Sequence, residues 1–190
     1  MAHEKLRRLP IDLLELDLAF QVDEPDVTYY MDLEDGTVLL VTAELRSELD
    51  EVYEQAWAEV GSSQGEDREA VARRCAQLIW ESDREEWHRL DLLGALSIEV
   101  APPDQYAEVP RFETRDAYAE MEDFIATIQS GRLRDRLERA IAGKGAFRRF
   151  KEIVYQISEE EQRWYAFRDG RRRQRMVDWL EELGIEPAES

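Results

Sequence analysis

Apolar residues recur at helical spacing through most of this chain and switch to strict alternation in one short region. There, Val27, Tyr29, Met31 and Leu33 alternate with Thr28, Tyr30, Asp32 and Glu34, the period of a strand with one buried face. A second β-rich run over residues 37–42 follows Asp35-Gly36, and two such runs around Asp-Gly predict a hairpin. The alternation predicts that one of these two faces is buried. A lone hairpin is marginal in water, so it needs a third strand or a helix on its apolar face. Residues 105–109 are placed as the third strand, with Tyr106 and Val109 suited to it and Pro110 ending it.

The helical segments follow from the 3.6-residue period. Residues 11–20 form a short amphipathic helix whose first turn Asp12 and Glu15 are spaced to cap. Residues 43–59, capped by Thr42, place Leu45, Leu49, Val52, Tyr53 and Ala56 on one stripe. Gly61-Ser62-Ser63-Gln64-Gly65 reads as a loop, and residues 67–81 as a helix with Val71, Cys75, Leu78 and Ile79 inward. Residues 83–104 show no clear period. Trp87, Leu90, Leu92 and Leu93 predict burial there, and Pro102-Pro103 breaks any helix.

From Thr114, expected as a cap, the pattern is helical almost to the end. Tyr118, Met121, Phe124, Ile125 and Ile128 form one stripe, which Ser130-Gly131 is expected to end. Leu133, Leu137, Ala140 and Ile141 line the next helix, stopped by Gly143. A helix from Gly145 is expected to bury Phe147, Phe150, Val154 and Ile157. Another starts near Ser158 with Trp164 and Phe167 as anchors. Gly170 is expected to interrupt it before a last helix over 171–183, with Met176, Trp179, Leu180 and Leu183 inward. The fold class is α+β: a small antiparallel sheet, a hairpin plus a third strand, packed by helices, with a mainly helical C-terminal half. The two parts are expected over 1–112 and 113–184, as one continuous or closely docked domain.

Composition narrows the function. The chain has 190 residues, 43% hydrophobic and 36% charged, with no apolar run near the roughly 20 residues of a membrane span, so no membrane partner is expected. Its first residues lack the apolar core of a signal peptide, and the single cysteine, Cys75, excludes an intramolecular disulfide and a multi-thiolate zinc site. A cytoplasmic setting is the expectation. The net charge of −19 is unevenly spread. Residues 131–176 hold fourteen Lys/Arg against seven Asp/Glu, and the remainder eleven against thirty-seven. Such asymmetry points to an interaction surface or to attraction between the two parts within the fold.

The densest basic stretch is Gly143-Lys144-Gly145-Ala146-Phe147-Arg148-Arg149-Phe150-Lys151. Together with Tyr29-Tyr30-Met31-Asp32-Leu33-Glu34-Asp35-Gly36, Tyr106 through Pro110, Met121-Glu122-Asp123-Phe124-Ile125, Trp164-Tyr165-Ala166-Phe167 and Trp179-Leu180, it resembles the bacterial uncharacterised protein family 0158. The likeness extends over most of the chain and is weakest over 61–100. The family's name attaches no activity, so the resemblance implies no catalytic residues.

The residues themselves exclude a nucleotide loop at Gly143-Lys144-Gly145. A Walker motif needs glycine where Glu138 stands and Ser/Thr where Gly145 stands. What remains is a helix–turn–helix corner, or a helix start flanked by Lys144 and Arg148 that can meet a phosphate or carboxylate. Lys144, Arg148, Arg149, Lys151 and Arg172 are therefore the candidate anion- or partner-binding residues. Arg132, Arg136 and Arg139 form a second basic face, and Arg171 to Arg173 with Arg175 a third. Metal and cofactor chemistry have little support. His3 and His88 lack a second histidine or cysteine at ligand spacing, and Asp32, Glu34 and Asp35 read as turn chemistry on a solvated face. The leading expectation is a non-enzymatic binding or regulatory protein that uses the basic surface around 144–151 for a protein partner or anionic ligand. A nucleic-acid-associated protein using the basic helical face over 132–175 is the second reading, and a carboxylate metal-dependent hydrolase a weaker third.

Overall fold

The computed structural model describes residues 6–60 and 68–188; the expected loop at 61–65 lies outside them. The fold is α+β with a helical C-terminal half, and its backbone gathers into two compact units, Arg7–Pro110 and Arg111–Glu186.

The first unit holds strand β1 (Arg7–Leu9), helix α1 (Leu13–Ala19), strands β2 (Val27–Asp32) and β3 (Val38–Thr42), helices α2 (Ala43–Val60), α3 (Arg68–Glu81) and α4 (Glu86–Val100), and strand β4 (Tyr106–Glu108). Asp12 starts α1, its Oδ1 accepting from the Leu14 and Glu15 N–H groups at 2.9 and 3.2 Å. The expected hairpin forms, with Tyr30 opposite Leu39 and Met31 opposite Val38. Residues 106–108 supply the third strand, giving the order β3-β2-β4, all antiparallel. Thr42 caps α2, its Oγ1 accepting from Leu45 N–H at 3.1 Å. Pro187 and Ala188 return to this unit, where Ala188 N–H donates to Leu9 O at 2.7 Å.

The one-sided burial expected for β2 is not what forms. Tyr30 packs on a core of Val41, Leu45, Leu49, Cys75, Ile79 and Leu92 built by β3 and α2–α4, while Met31, on the opposite face, is fully buried. Alternation tells which residues share a face; a central strand can have both faces covered. Asp32 is buried too, and its carboxylate accepts from Glu34 N–H (2.7 Å) and Gln105 Nε2 (3.2 Å), so it is not on a solvated face. The region over 83–104 hid α4 because apolar residues lie on more than one side of it. Leu92, Ala95 and Leu96 are buried, but Trp87 and Leu90, expected inside, are 64% and 55% exposed.

The second unit holds α5 (Thr114–Ala126), α6 (Gly131–Ile141), α7 (Ala146–Val154) and α8 (Ser158–Glu182), followed by the short strand β5 (Ile185–Pro187). Glu113, rather than Thr114, caps α5 in a reciprocal box with Asp116. Ser130 does not end α5 but opens α6, its Oγ accepting from Leu133 N–H; the same polar residue suits either role until the neighbouring backbone chooses. The core joins Met121, Phe124, Ile128, Leu137, Phe150 and Trp164. Phe150 lies 4.8 Å from the Trp164 ring and 6.1 Å from Phe124, both edge-on. Phe147 is only half-buried against Tyr118 at 4.8 Å, and Ile157, expected inside, is at the surface.

Gly170 does not interrupt the last helix: α8 runs unbroken for 25 residues. Trp164 before it and Met176 and Leu180 after it are buried, and that anchorage outweighs the ~1 kcal/mol that a helical glycine costs relative to alanine. A Cβ at Gly170 would meet nothing within 4 Å. Gly170→Ala is therefore expected to raise stability by about 0.5–1 kcal/mol, read as a higher urea midpoint at unchanged slope; a lower midpoint would mean that the helix needs glycine there.

Candidate functional site

The Gly143–Lys151 stretch folds as the corner between α6 and α7. Gly143 and Gly145 both take positive φ, 76° and 82°, which lets the chain turn within the few residues between α6 and α7. The end of α6 leaves carbonyls without intrahelical partners, and Arg149 turns back to meet them. Its Nε donates to Ala140 O (2.9 Å), Nη2 to Ala142 O (2.8 Å) and Nη1 to Lys144 O (2.6 Å). A Cβ at Gly145 would lie 3.2 Å from Arg149 Nη1, so the glycine also makes room for the guanidinium. Arg149, a candidate surface cation by sequence, is thus the pin of the corner. Its five fixed donors suit this, where a lysine's single ammonium would not.

With the corner pinned, Lys144, Arg148 and Lys151 are exposed. Arg148 is 80% exposed and its nearest carboxylate is Glu152, one turn on at 3.6 Å, a pairing worth little. Arg132 and Arg139 on α6 are exposed as well, and Arg136 donates to Gln156 Oε1 at 3.1 Å. Residues 131–154 carry eight Lys/Arg against three Asp/Glu. The cluster on α8 is different. Arg171 pairs with Asp123, Arg175 and Arg168 with the buried Glu120, and Arg172 with Asp169 at 3.3 Å. Arg172 lies on α8 and is only 19% exposed. Two acids of α5, Glu120 and Asp123, thus engage three of the arginines of α8.

The model of an uncharacterised protein family, UPF0158, matches residues 77–190, a span that includes the whole α6–α7 corner. The chain belongs to UPF0158. A UPF0158 protein of Pseudomonas aeruginosa, PA5073, is 27% identical over 184 residues, covering 96% of this chain and 89% of that relative. No solved structure matches the chain. The Tyr29-Tyr30 motif lies before the span that the UPF0158 model matches.

Two further features of this UPF0158 chain have no signature in the sequence. Glu48 on α2 accepts from His88 Nε2 (3.0 Å) and Arg84 Nε (3.2 Å). The His88 hydrogen bond, against some burial, holds the Glu48 carboxyl below its ordinary value, with Arg84 adding to the effect. The partners are 40 and 36 residues apart, beyond any local pattern. A cavity of about 830 Å³ opens between α2, α3 and α4, its walls including Tyr53, Trp57, Leu93, Leu96 and Val100. Burial, with the nearby Cys75 and Glu99, pushes the Tyr53 phenol up. Among the described residues no group of three or more His, Cys, Asp or Glu is placed to hold a metal ion, and no helix is long and apolar enough to cross a membrane.

Proposed function

We propose that this chain is a non-enzymatic binding or regulatory protein of the cytoplasm whose α6–α7 corner takes a short acidic segment of a protein partner. The observation that carries the reading is the division of labour at the corner: Arg149 is spent on backbone carbonyls, which fixes the turn, while Lys144, Arg148 and Lys151 stand in water. Solvated cations, with Arg148 80% exposed, suit a steering and rim contact. They are poorly suited to chemistry that needs charge in an enclosed, water-poor site.

A polyanion as long as a nucleic acid would need more of the 132–175 face. Arg171, Arg172 and Arg175 there already have carboxylate partners, and a chain of net charge −19 repels a polyanion at large. Anisotropy titrations with a labelled Asp/Glu-rich peptide and with single-stranded DNA, over a series of salt concentrations, separate the two readings. The peptide is expected to bind, and Arg148→Glu with Lys151→Glu to weaken it by about tenfold or more, mainly through the on-rate. Tighter binding of the DNA with a steep salt slope would favour the nucleic-acid reading. Peptide binding that ignores the double charge reversal would reject the corner as the site.

A further inference from the structure

The turn between α3 and α4 carries the opposite chemistry. Trp80 near the end of α3 and Trp87 and Leu90 in the first turns of α4 are 58%, 64% and 55% exposed. Trp87 and Leu90 are three residues apart, so they share the outward face of α4. Arg89 binds Trp80 beside them, Nη1 donating to Trp80 O at 3.2 Å and its guanidinium lying 5.3 Å from the ring centre. Trp87 is held as well: its ring meets His88 edge-on at 5.2 Å, and His88 is fixed by Glu48. Large aromatics displayed in fixed positions lose little freedom on binding, which is how interface anchors work.

Charge selects the partner. Glu81, Asp83, Glu85, Glu86 and Asp91 lie in the same stretch of chain as these rings and are exposed, with Glu81 also 3.9 Å from Arg74. The two arginines of the same stretch are engaged, Arg84 with Glu48 and Arg89 with Trp80. An indole face attracts cations, and Arg89 already uses Trp80 in that way. We propose that the α3–α4 corner is a docking site for a cationic, amphipathic segment of a partner protein, whose apolar side seats on Trp87, Leu90 and Trp80 while its Lys/Arg side chains meet the carboxylates. The reading stands independently of the α6–α7 corner, because it uses other residues and the opposite charge.

The test is titration calorimetry and tryptophan emission on the full chain. The probe is a short helical peptide with leucines on one face and Lys/Arg on the other, and the comparison is oligolysine of equal charge. The amphipathic peptide is expected to bind more tightly than oligolysine and to shift the emission to the blue. Trp87→Ala is expected to weaken it by about tenfold or more, Leu90→Ser by less, and Trp87→Phe to retain most of the binding; Arg148→Glu on α7 should leave it unchanged. Both anchor positions are mostly exposed, so these variants fold. The proposal is overturned if Trp87→Ala binds as tightly as the parent, or if oligolysine binds equally well. It is also overturned if the free protein self-associates and Trp87→Ala abolishes that, which would make a second copy the occupant.

Discussion

Phe150→Ala is expected to destabilise the second unit by about 3–5 kcal/mol, the usual cost of removing a fully buried aromatic. Phe150 is 1% exposed and sits edge-on to both Trp164 and Phe124, so truncation loses the burial and the ring contacts and leaves a cavity that α5 and α8 close only partly. Phe147, three residues earlier on the same stripe, is half-buried with Tyr118 as its ring partner. Phe147→Ala is expected to cost about 1–2 kcal/mol, because part of the ring already faces water. Urea unfolding of the two variants side by side checks this. Equal losses would contradict the core as described.

Arg175→Ala is expected to cost about 3 kcal/mol, and more than Glu120→Gln. The Glu120 side chain is 8% exposed while Arg175 and Arg168 are 34% and 40% exposed. Removing Arg175 leaves a buried carboxylate whose remaining partner, Arg168, stands 3.7 Å away, and an unpaired buried charge is the costly outcome. It also removes the guanidinium from the Phe112 ring, 4.5 Å away. Removing the charge on Glu120 instead leaves two arginines that can turn to water, for about 1–2 kcal/mol. Chemical denaturation of both variants gives the order directly; Glu120→Gln as the worse of the two would refute the asymmetry of burial.

The same residues show why some of the site was readable in advance. Gly143 and Gly145 predict a sharp corner because positive φ is a property of the residue itself, and the Phe150 and Val154 spacing predicts a buried helical stripe because the period is local. Arg149 defeats that logic. Arg148 and Arg149 are neighbours of one type, yet one stands in water and the other binds carbonyls up to nine residues back. Nothing in an Arg-Arg pair tells which will turn inward. Trp87 and Leu90 fail for the complementary reason: apolar residues on several sides of α4 give no single face to bury, and the core beneath them was filled by Leu92, Ala95 and Leu96.

The sequence by itself determined the hairpin and its third strand, most of the helices, the glycine corner and the membership in UPF0158. The elements depend on backbone preference or on side-chain period within one or two turns, and the membership on residue identities along the chain. Tertiary structure alone decided the continuity of α8 through Gly170 and the burial of both faces of β2. It also decided the pairing of Glu48 with His88, and which arginines turn inward and which stand in water. An arginine finds comparable hydrogen bonds in water, at a carboxylate or at a helix end. The choice among them rests on groups such as Glu120 and Asp123, 55 and 48 residues from Arg175 and Arg171, that only folding brings within reach.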